Sequence, residues 1–317
     1  MDQNIADRRA LRRKLSFWRV FAGVIAVVAI VGLWFAMTGG QSASSRDQIA
    51  RVSISGIIQD NSELTGRFER IAKADNVKAL IVEISSPGGT TYGGETIFKA
   101  IRKVADKKPV VTNIRTLAAS AGYMVAAAGD EIVAGETSIT GSIGVLFQYV
   151  QAQELMDKIG VSMEEIKSSP MKAEPSPFHA PPEEAKAMIN AMIQDSYSWF
   201  VDLVAERRGM DRARALQLAD GSVFSGRQAK ENGLVDRLGG MDEIKDYLKT
   251  VKVDPDLPVM DWKAPSDGLS IGLPLALANQ LGLGDAATLF DQAIVKKLFG
   301  DKLFLDGLVS VWQVGAD

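Results

Sequence analysis

Hydrophobic and polar positions divide the chain into three regimes. Val20 to Met37 (VFAGVIAVVAIVGLWFAM) is apolar throughout, and no charge appears until Arg46. From about residue 50 to 252, apolar runs of strand length alternate with charged stretches of helical spacing. From Val253 onward that alternation gives way to Pro, Gly and isolated apolar patches such as LSIGLPLALANQLGLG (269–284). No internal repeat is evident.

The middle regime predicts particular elements. RVSISGII (51–58) reads as a strand and GRFERIAKA (66–74) as a helix. VKALIVEI (77–84) is continuously apolar and ends in SSPGG, the pattern of a parallel strand buried on both faces. GGETIFKAIRKVADK (93–107) has helical spacing, and PVVTNI (109–114) is a second buried strand leading into the small-residue stretch LAASAGYMVAAAGD (117–130). EIVAG and TGSIGVLFQYV give further strands. PEEAKAMINAMIQDSYSWFVDLVAERR (182–208) is the clearest helix, with prolines before it, acidic residues opening it and an Arg pair with Gly209 closing it. Shorter helices come next, at 211–219 and 225–232, then a short strand in LVDRLGG and a helix at 241–251. Alternating strands and helices predict an α/β fold with a parallel sheet and flanking helices.

The first regime has a different purpose. Eighteen helical residues span about 27 Å, close to a hydrocarbon core of about 30 Å. Trp18 and Trp34 stand near its two ends, where indole rings favour the membrane interface. Six basic residues against two acidic ones in 1–20 predict a cytoplasmic N-terminus and export of the chain beyond residue 40. A cleaved signal peptide is the alternative, since GGQSASS offers small residues, but its apolar region is usually shorter, about 7–15 residues. The expected organisation is a basic N-terminus (1–19), a transmembrane anchor (20–38), a linker (39–49), a catalytic domain (50–252) and a C-terminal extension (253–317). Pro274 and the short length argue against a second span. The tail is expected to cover a partner subunit or pack over the core.

Composition narrows the chemistry. The net charge of −3 becomes −7 once residues 1–20 are set aside, which argues against nucleic acid as a partner. Cysteine is absent, excluding disulfides, thiol nucleophiles and iron–sulfur clusters. With His179 the single histidine, a His-ligated metal centre lacks ligands, and any Ser-His triad would have to use that residue. No cofactor is implied.

Two strand ends remain as candidate sites. In SSPGG (85–89), Gly88 and Gly89 present adjacent N–H groups that can cradle an oxyanion, although a plain Pro-Gly turn has the same sequence. No Gly-Lys-Ser/Thr comes after it, so this is not a P-loop. Ser120, in LAASAGYM, comes directly after a strand and opens a helix, where the dipole favours developing negative charge and the Ala121 N–H is a natural oxyanion donor. An ordinary helix-capping serine is the alternative. A nucleophilic Ser120 needs a base. His179 sits in a Pro-rich loop and reads as solvated. Lys167 and Lys172, in IKSSPMKAEPSP at what reads as a strand end, are the other candidates, since a lysine works as a base when burial disfavours its ammonium. Composition does not choose between them.

Taken in order, SSPGG, ASAGYM, TGSIGV (140–145), the Lys-containing Ser-Pro loop and DGSVFSGRQAKENGLVD (220–236) resemble the short bacterial signal peptide peptidases of serine peptidase family S49, which have the ClpP/crotonase fold. The likeness covers about residues 50–250. It implies Ser120 as nucleophile, Lys172 rather than Lys167 as general base and Ser142 as the hydroxyl that orients the lysine. It implies an oxyanion hole from Gly88 or Gly89 with the Ala121 N–H. Ala121 departs from the glycine many relatives carry there. The resemblance further implies a homo-oligomeric ring, an octamer in short-form relatives, whose sites combine residues of neighbouring copies. The expected function is a membrane-anchored Ser-Lys endopeptidase on the outer face of the bacterial inner membrane. Its expected substrates are remnant signal peptides with small or apolar side chains, and its expected partners are peptides and membrane lipid. A crotonase-like acyl-CoA enzyme and a catalytically inactive membrane scaffold are the rival readings.

Overall fold

A computed structural model describes residues 18–30, 46–263 and 308–311. The first 47 residues form one compact unit and the rest another. In the first unit, residues 18–30 are a helix (α1). Among the described residues no helix is long and apolar enough to cross a membrane. The remainder of the expected span lies outside the described residues, as does 269–284.

The second unit is built on an eight-stranded sheet. Its elements run β1 (Gln48–Ser55), α2 (Ser62–Lys73), β2 (Val77–Ser86), β3 (Gly88–Thr90), α3 (Thr91–Ala105), β4 (Val110–Ala119), α4 (Ala121–Ala126), β5 (Glu131–Ala134) and β6 (Ile139–Gly141). They continue as α5 (Gln153–Ile159), α6 (Glu183–Arg208), α7 (Arg212–Leu218), β7 (Val223–Ser225), α8 (Gly226–Glu231), β8 (Arg237–Leu238), α9 (Met241–Thr250), β9 (Val259–Asp261) and β10 (Val309–Val311). The main strand order is β7-β6-β4-β2-β1-β9, with β5 beside β4 and β8 beside β5. Only β7, against β6, is antiparallel within this sheet.

The unbroken apolar run in β2 results from burial on both faces. Leu80, Val82 and Ile84 enter the larger core with Phe68 and Ile71 of α2, Ile97 and Ile101 of α3, and Phe200 and Val204 of α6. Ala79 and Ile81 point the other way, into a smaller core closed by Ile244 and Leu248 of α9. Period-two alternation is therefore present, but both phases are apolar. Each large side chain so buried contributes about 1.5–3 kcal/mol.

β4 is the element that places the site. The expected strand ends at Ile114, yet β4 runs on to Ala119. Its first half pairs with β5, its second half with β6, and Ala118 lies beside Ser86 of β2. At the far end of α4, Arg207 donates to the Ala127 and Gly129 carbonyls (2.9 and 2.8 Å) and Arg102 to Ala128 (2.9 Å). These cations satisfy carbonyls left without helical partners.

Two expected strands are corrected. TGSIGVLFQYV is a strand only as far as Gly141, because Gly141 and Ser142 take positive φ (92° and 50°) and turn the chain away from the ladder. No strand precedes Lys167 or Lys172, since residues 160–168 carry no regular structure. Between Gly144 and Pro182 the chain leaves the core, and α5 buries none of its residues.

Candidate active site

The site is assembled where β2, β4 and β6 end side by side. Ser120 comes directly after β4, is buried, and has φ 60° and ψ −121°. Left-handed backbone in a residue with a side chain costs about 1–3 kcal/mol and persists only where its surroundings fix it. Two bonds fix it here: the Ser120 N–H donates to the Gly141 carbonyl (2.8 Å), and its carbonyl accepts from the Met124 N–H (3.0 Å). The backbone is not that of a helix cap, which favours extended angles, and the Ser120 side chain makes no capping bond to α4. The hydroxyl is left for other work.

Opposite Ser120 lies β3. The Gly88 N–H is already donated to Ser86 Oγ (3.1 Å). The Gly88 carbonyl accepts from Ile58 N–H and Thr90 N–H donates to the Ile58 carbonyl, both at 2.8 Å. Backbone groups alternate sides along a strand, so the Gly89 N–H faces away from Ile58. Of the two glycines weighed from the sequence, Gly89 therefore has the available donor. Both need to be glycine. Gly88 has φ 108°, and a side chain on Gly89 would begin 1.8 Å from the Ile58 carbonyl oxygen.

Ala121 opens α4, and its N–H has no intrahelical acceptor by helix geometry. Its methyl is accommodated because Gly94 of α3 lies against it, where any added carbon would stand 3.1 Å from Ala121 Cβ. Gly122 is confined by the Ser86 carbonyl, 2.8 Å from where a side chain would start. Ser142 is next to Gly141, the acceptor of the Ser120 N–H, and its own N–H donates to the Ser222 carbonyl (2.7 Å). Ser120, Gly88, Gly89, Ala121 and Ser142 thus gather at one end of the sheet.

Lys172 does not join them within one chain. It is exposed, in the turn after Pro170, its N–H donating to the Ser169 carbonyl (3.1 Å). No hydrogen bond or ion pair joins it to Ser120 or Ser142 among the described residues. Lys167 is engaged elsewhere, with Glu165 at 2.5 Å and Glu174 at 2.7 Å, and those bonds raise its pKa. Lys167 in turn holds both carboxyls below their usual range. His179 lies beside the same cluster, 3.3 Å from Glu174 and 3.5 Å from Lys167, half-exposed as its loop predicts. A lysine held charged by two carboxylates cannot take a proton from serine.

One residue at the site was not anticipated. Val309–Val311 of the C-terminal segment pairs antiparallel with β3, and Ser310 Oγ is hydrogen-bonded to Ser120 Oγ. Four residues, LVSV, in a stretch without periodicity carry no sequence signal for such a strand.

The family model described as peptidase family S49 matches residues 102–254, and the Clp protease model matches 51–138. A protein named signal peptide peptidase SppA in Enterococcus faecium is 33% identical, over 73% of this chain and 71% of its own. The chain belongs to peptidase family S49. It is a serine-type peptidase with a Clp-like α/β fold. A protein named as a protease in Synechocystis sp. is 34% identical over 77% of this chain and 86% of its own. A solved membrane-bound stomatin-specific protease superposes with a TM-score of 0.45 at 20% identity, covering 70% of this chain and 100% of that one.

Proposed function

We propose that the chain is a membrane-anchored endopeptidase that hydrolyses remnant signal peptides with a Ser120–Lys172 dyad. The observation that carries this reading is the Ser120 hydroxyl. It is buried, makes no capping bond to α4, and lies opposite β3, where the Gly89 N–H is the glycine donor taken by neither Ser86 nor Ile58.

Ser120 Oγ attacks the substrate carbonyl carbon while the Lys172 amine takes its proton. The Gly89 and Ala121 N–H groups hold the oxyanion, and Ser142 Oγ orients the amine. The lysine then protonates the leaving nitrogen, and water hydrolyses the acyl-enzyme. A lysine serves as base only when burial disfavours its ammonium. Lys172 is exposed in one chain, so the burial comes from a neighbouring copy. The exposed apolar side chains of the same excursion, Leu155, Ile159, Val161 and Ile166 among them, suit contact with that copy in a homo-oligomeric ring.

The apolar run 20–37 supports the anchor, and the basic residues before it support a catalytic domain outside the inner membrane. Anchored there, the site lies beside signal peptides left in the bilayer. The relative named signal peptide peptidase supports the same substrate class.

The test is hydrolysis of a fluorogenic apolar peptide by the detergent-solubilised wild type, Ser120→Ala and Lys172→Ala, each sized by gel filtration. Both variants are expected to assemble normally and to lose at least about 10³-fold in kcat. An active Lys172→Ala protein removes the dyad.

A further inference from the structure

Lys172 stands on a loop that the apolar core does not hold. Among residues 144–182 only Ser176 is fully buried, so packing fixes little of this excursion. Polar bonds do so instead, and Glu174 is their hub. Its side chain is 3% exposed, and its two oxygens accept from Lys167 Nζ (2.7 Å) and from the Ser176 N–H (3.2 Å). His179 Nε2 lies 3.3 Å from the oxygen that takes Lys167. Around this hub, Ser176 Oγ donates to Glu165 (3.4 Å) and accepts from the Phe178 N–H (3.3 Å), while Glu165 closes on Lys167 from its other side (2.5 Å). The Pro177 carbonyl accepts from the Ala152 N–H (2.7 Å), which ties the cluster to the start of α5.

The bond from Lys167 to Glu174 closes the chain between them into a loop, and Lys172 lies inside it, two residues before the hub. Backbone turns shape the tip: the Lys172 N–H donates to the Ser169 carbonyl (3.1 Å) and the Glu174 N–H to the Met171 carbonyl (3.3 Å). Between Lys172 and Glu174, Ala173 has φ 64°. Left-handed backbone in a residue with a side chain persists only where its surroundings fix it. The surroundings that do so are the bonds of the Glu174 side chain, which anchor the next residue. Freeing Glu174 lets Ala173 leave that conformation, and the direction of the Lys172 side chain changes with it. Among the described residues Lys172 bonds to no member of the cluster, so the cluster acts on the loop rather than on the amine.

We propose that Glu174 is a positioning residue, which holds the loop 167–174 in the shape that delivers the Lys172 amine to Ser120 of a neighbouring copy. A base must come within about 2.6–3.2 Å of the hydroxyl it deprotonates. A misplacement of about 1 Å costs about 10²-fold in rate. Lys167 is the replaceable partner. Without it Glu174 keeps the Ser176 N–H and the His179 ring, whereas without Glu174 all three lose their common acceptor. The nucleophile and the oxyanion donors stand on β3 and at the start of α4, not on this loop, so loss of Glu174 lowers kcat and leaves KM in place.

This rests on the Ser-Lys reading, and the experiment separates the two. Full-length wild type, Lys172→Ala, Glu174→Ala, Glu174→Gln and the double variant Lys172→Ala/Glu174→Ala are sized by gel filtration. Steady-state hydrolysis of a fluorogenic peptide is measured for each, and of an activated ester where peptide turnover is lost. Glu174→Ala is expected to assemble and to lose about 10²-fold in kcat, with KM within about twofold of wild type. Glu174→Gln has the same length but one acceptor oxygen, and is expected to recover part of that loss. In the Lys172→Ala background, adding Glu174→Ala is expected to change the residual rate by less than about twofold, because a residue that acts through the amine has nothing left to place. A Glu174→Ala enzyme with wild-type kcat, beside an inactive Lys172→Ala, overturns the inference and leaves the dyad standing. So does a further loss in the double variant, or failure of both Glu174 variants to assemble, since either makes Glu174 a support of the fold at large. An active Lys172→Ala enzyme removes the dyad and the inference with it.

Discussion

Replacing Gly89 by alanine tests the oxyanion assignment at a single methyl group. The new carbon would start 1.8 Å from the Ile58 carbonyl oxygen, with Ile58 C and N both at 2.6 Å. Real contacts require about 3 Å or more, so β3 must retreat by roughly 1 Å, and a 1 Å misplacement costs about 10²-fold in rate. Losing an oxyanion donor outright costs about 10²–10³ in kcat. The expected fall for Gly89→Ala therefore lies in the range of about 10²–10³ in kcat, together with an overpacking cost of about 1–3 kcal/mol in stability. The assay is steady-state peptide hydrolysis well below the melting temperature, so that the folded population is not limiting. Gly56→Ala is the control. Gly56 has positive φ (73°), which Gly89 does not, and open space around it, so alanine there costs stability without touching the site. A Gly89→Ala enzyme with wild-type kcat would refute the assignment of the donor.

Three further outcomes rest on particular contacts. Lys167→Ala is expected to keep kcat within a few-fold, because Lys167 is committed to Glu165 and Glu174, whereas Lys172→Ala loses activity; parallel kinetics check both. The same cluster sets a pH window. Glu165 and Glu174 have lowered pKa values, so their contribution is present above the unfolded carboxylate value of about 4.3 and is lost as pH falls through the folded values. Lys167 is raised, so its contribution is full below the unfolded lysine value of about 10.4 and is lost as pH rises through the folded one. Protection factors for the amides of 165–179, taken relative to intrinsic exchange at each pH, should accordingly be highest between about pH 5 and 10 and fall in acid. Asp236→Ala removes the partner of the buried Arg208 guanidinium (2.5 Å) and the acceptor of the Ile132 N–H (2.8 Å), and is expected to cost about 3 kcal/mol by urea unfolding.

The sequence was most informative where structure is set by local pattern. The buried strand VKALIVEI and the long helix 182–208 appear close to their expected bounds, because apolar runs and capping residues act over a few positions, whereas the strand begun in PVVTNI continues to Ala119. Ser120 was legible because a strand meets a helix there. Its freedom from capping was not, since that depends on a bond to Gly141, twenty-one residues on. The choice between Gly88 and Gly89 was equally hidden: it turns on Ser86 Oγ and Ile58 taking some amides and leaving one. TGSIGVLFQYV has strand composition, yet positive φ at Gly141 and Ser142 ends the strand after three residues. Among the described residues Glu165 and Glu174 fold against Lys167 and not against Lys172, and no spacing rule encodes that. Ser310 was invisible for a related reason. A short strand in an aperiodic tail is stabilised by rails 164 and 221 residues away, at Leu146 and Gly89.

The central claim, that Ser120 of one copy is served by Lys172 of another, is tested most directly by mixing inactive rings. Ser120→Ala and Lys172→Ala chains are co-expressed in equal amounts and purified as mixed assemblies, and peptide hydrolysis is measured. Half the sites then hold Ser120, and half of those receive Lys172 from a neighbour, so about one quarter of wild-type specific activity should return across a head-to-tail interface. Mixed assemblies as inactive as either parent would contradict the account.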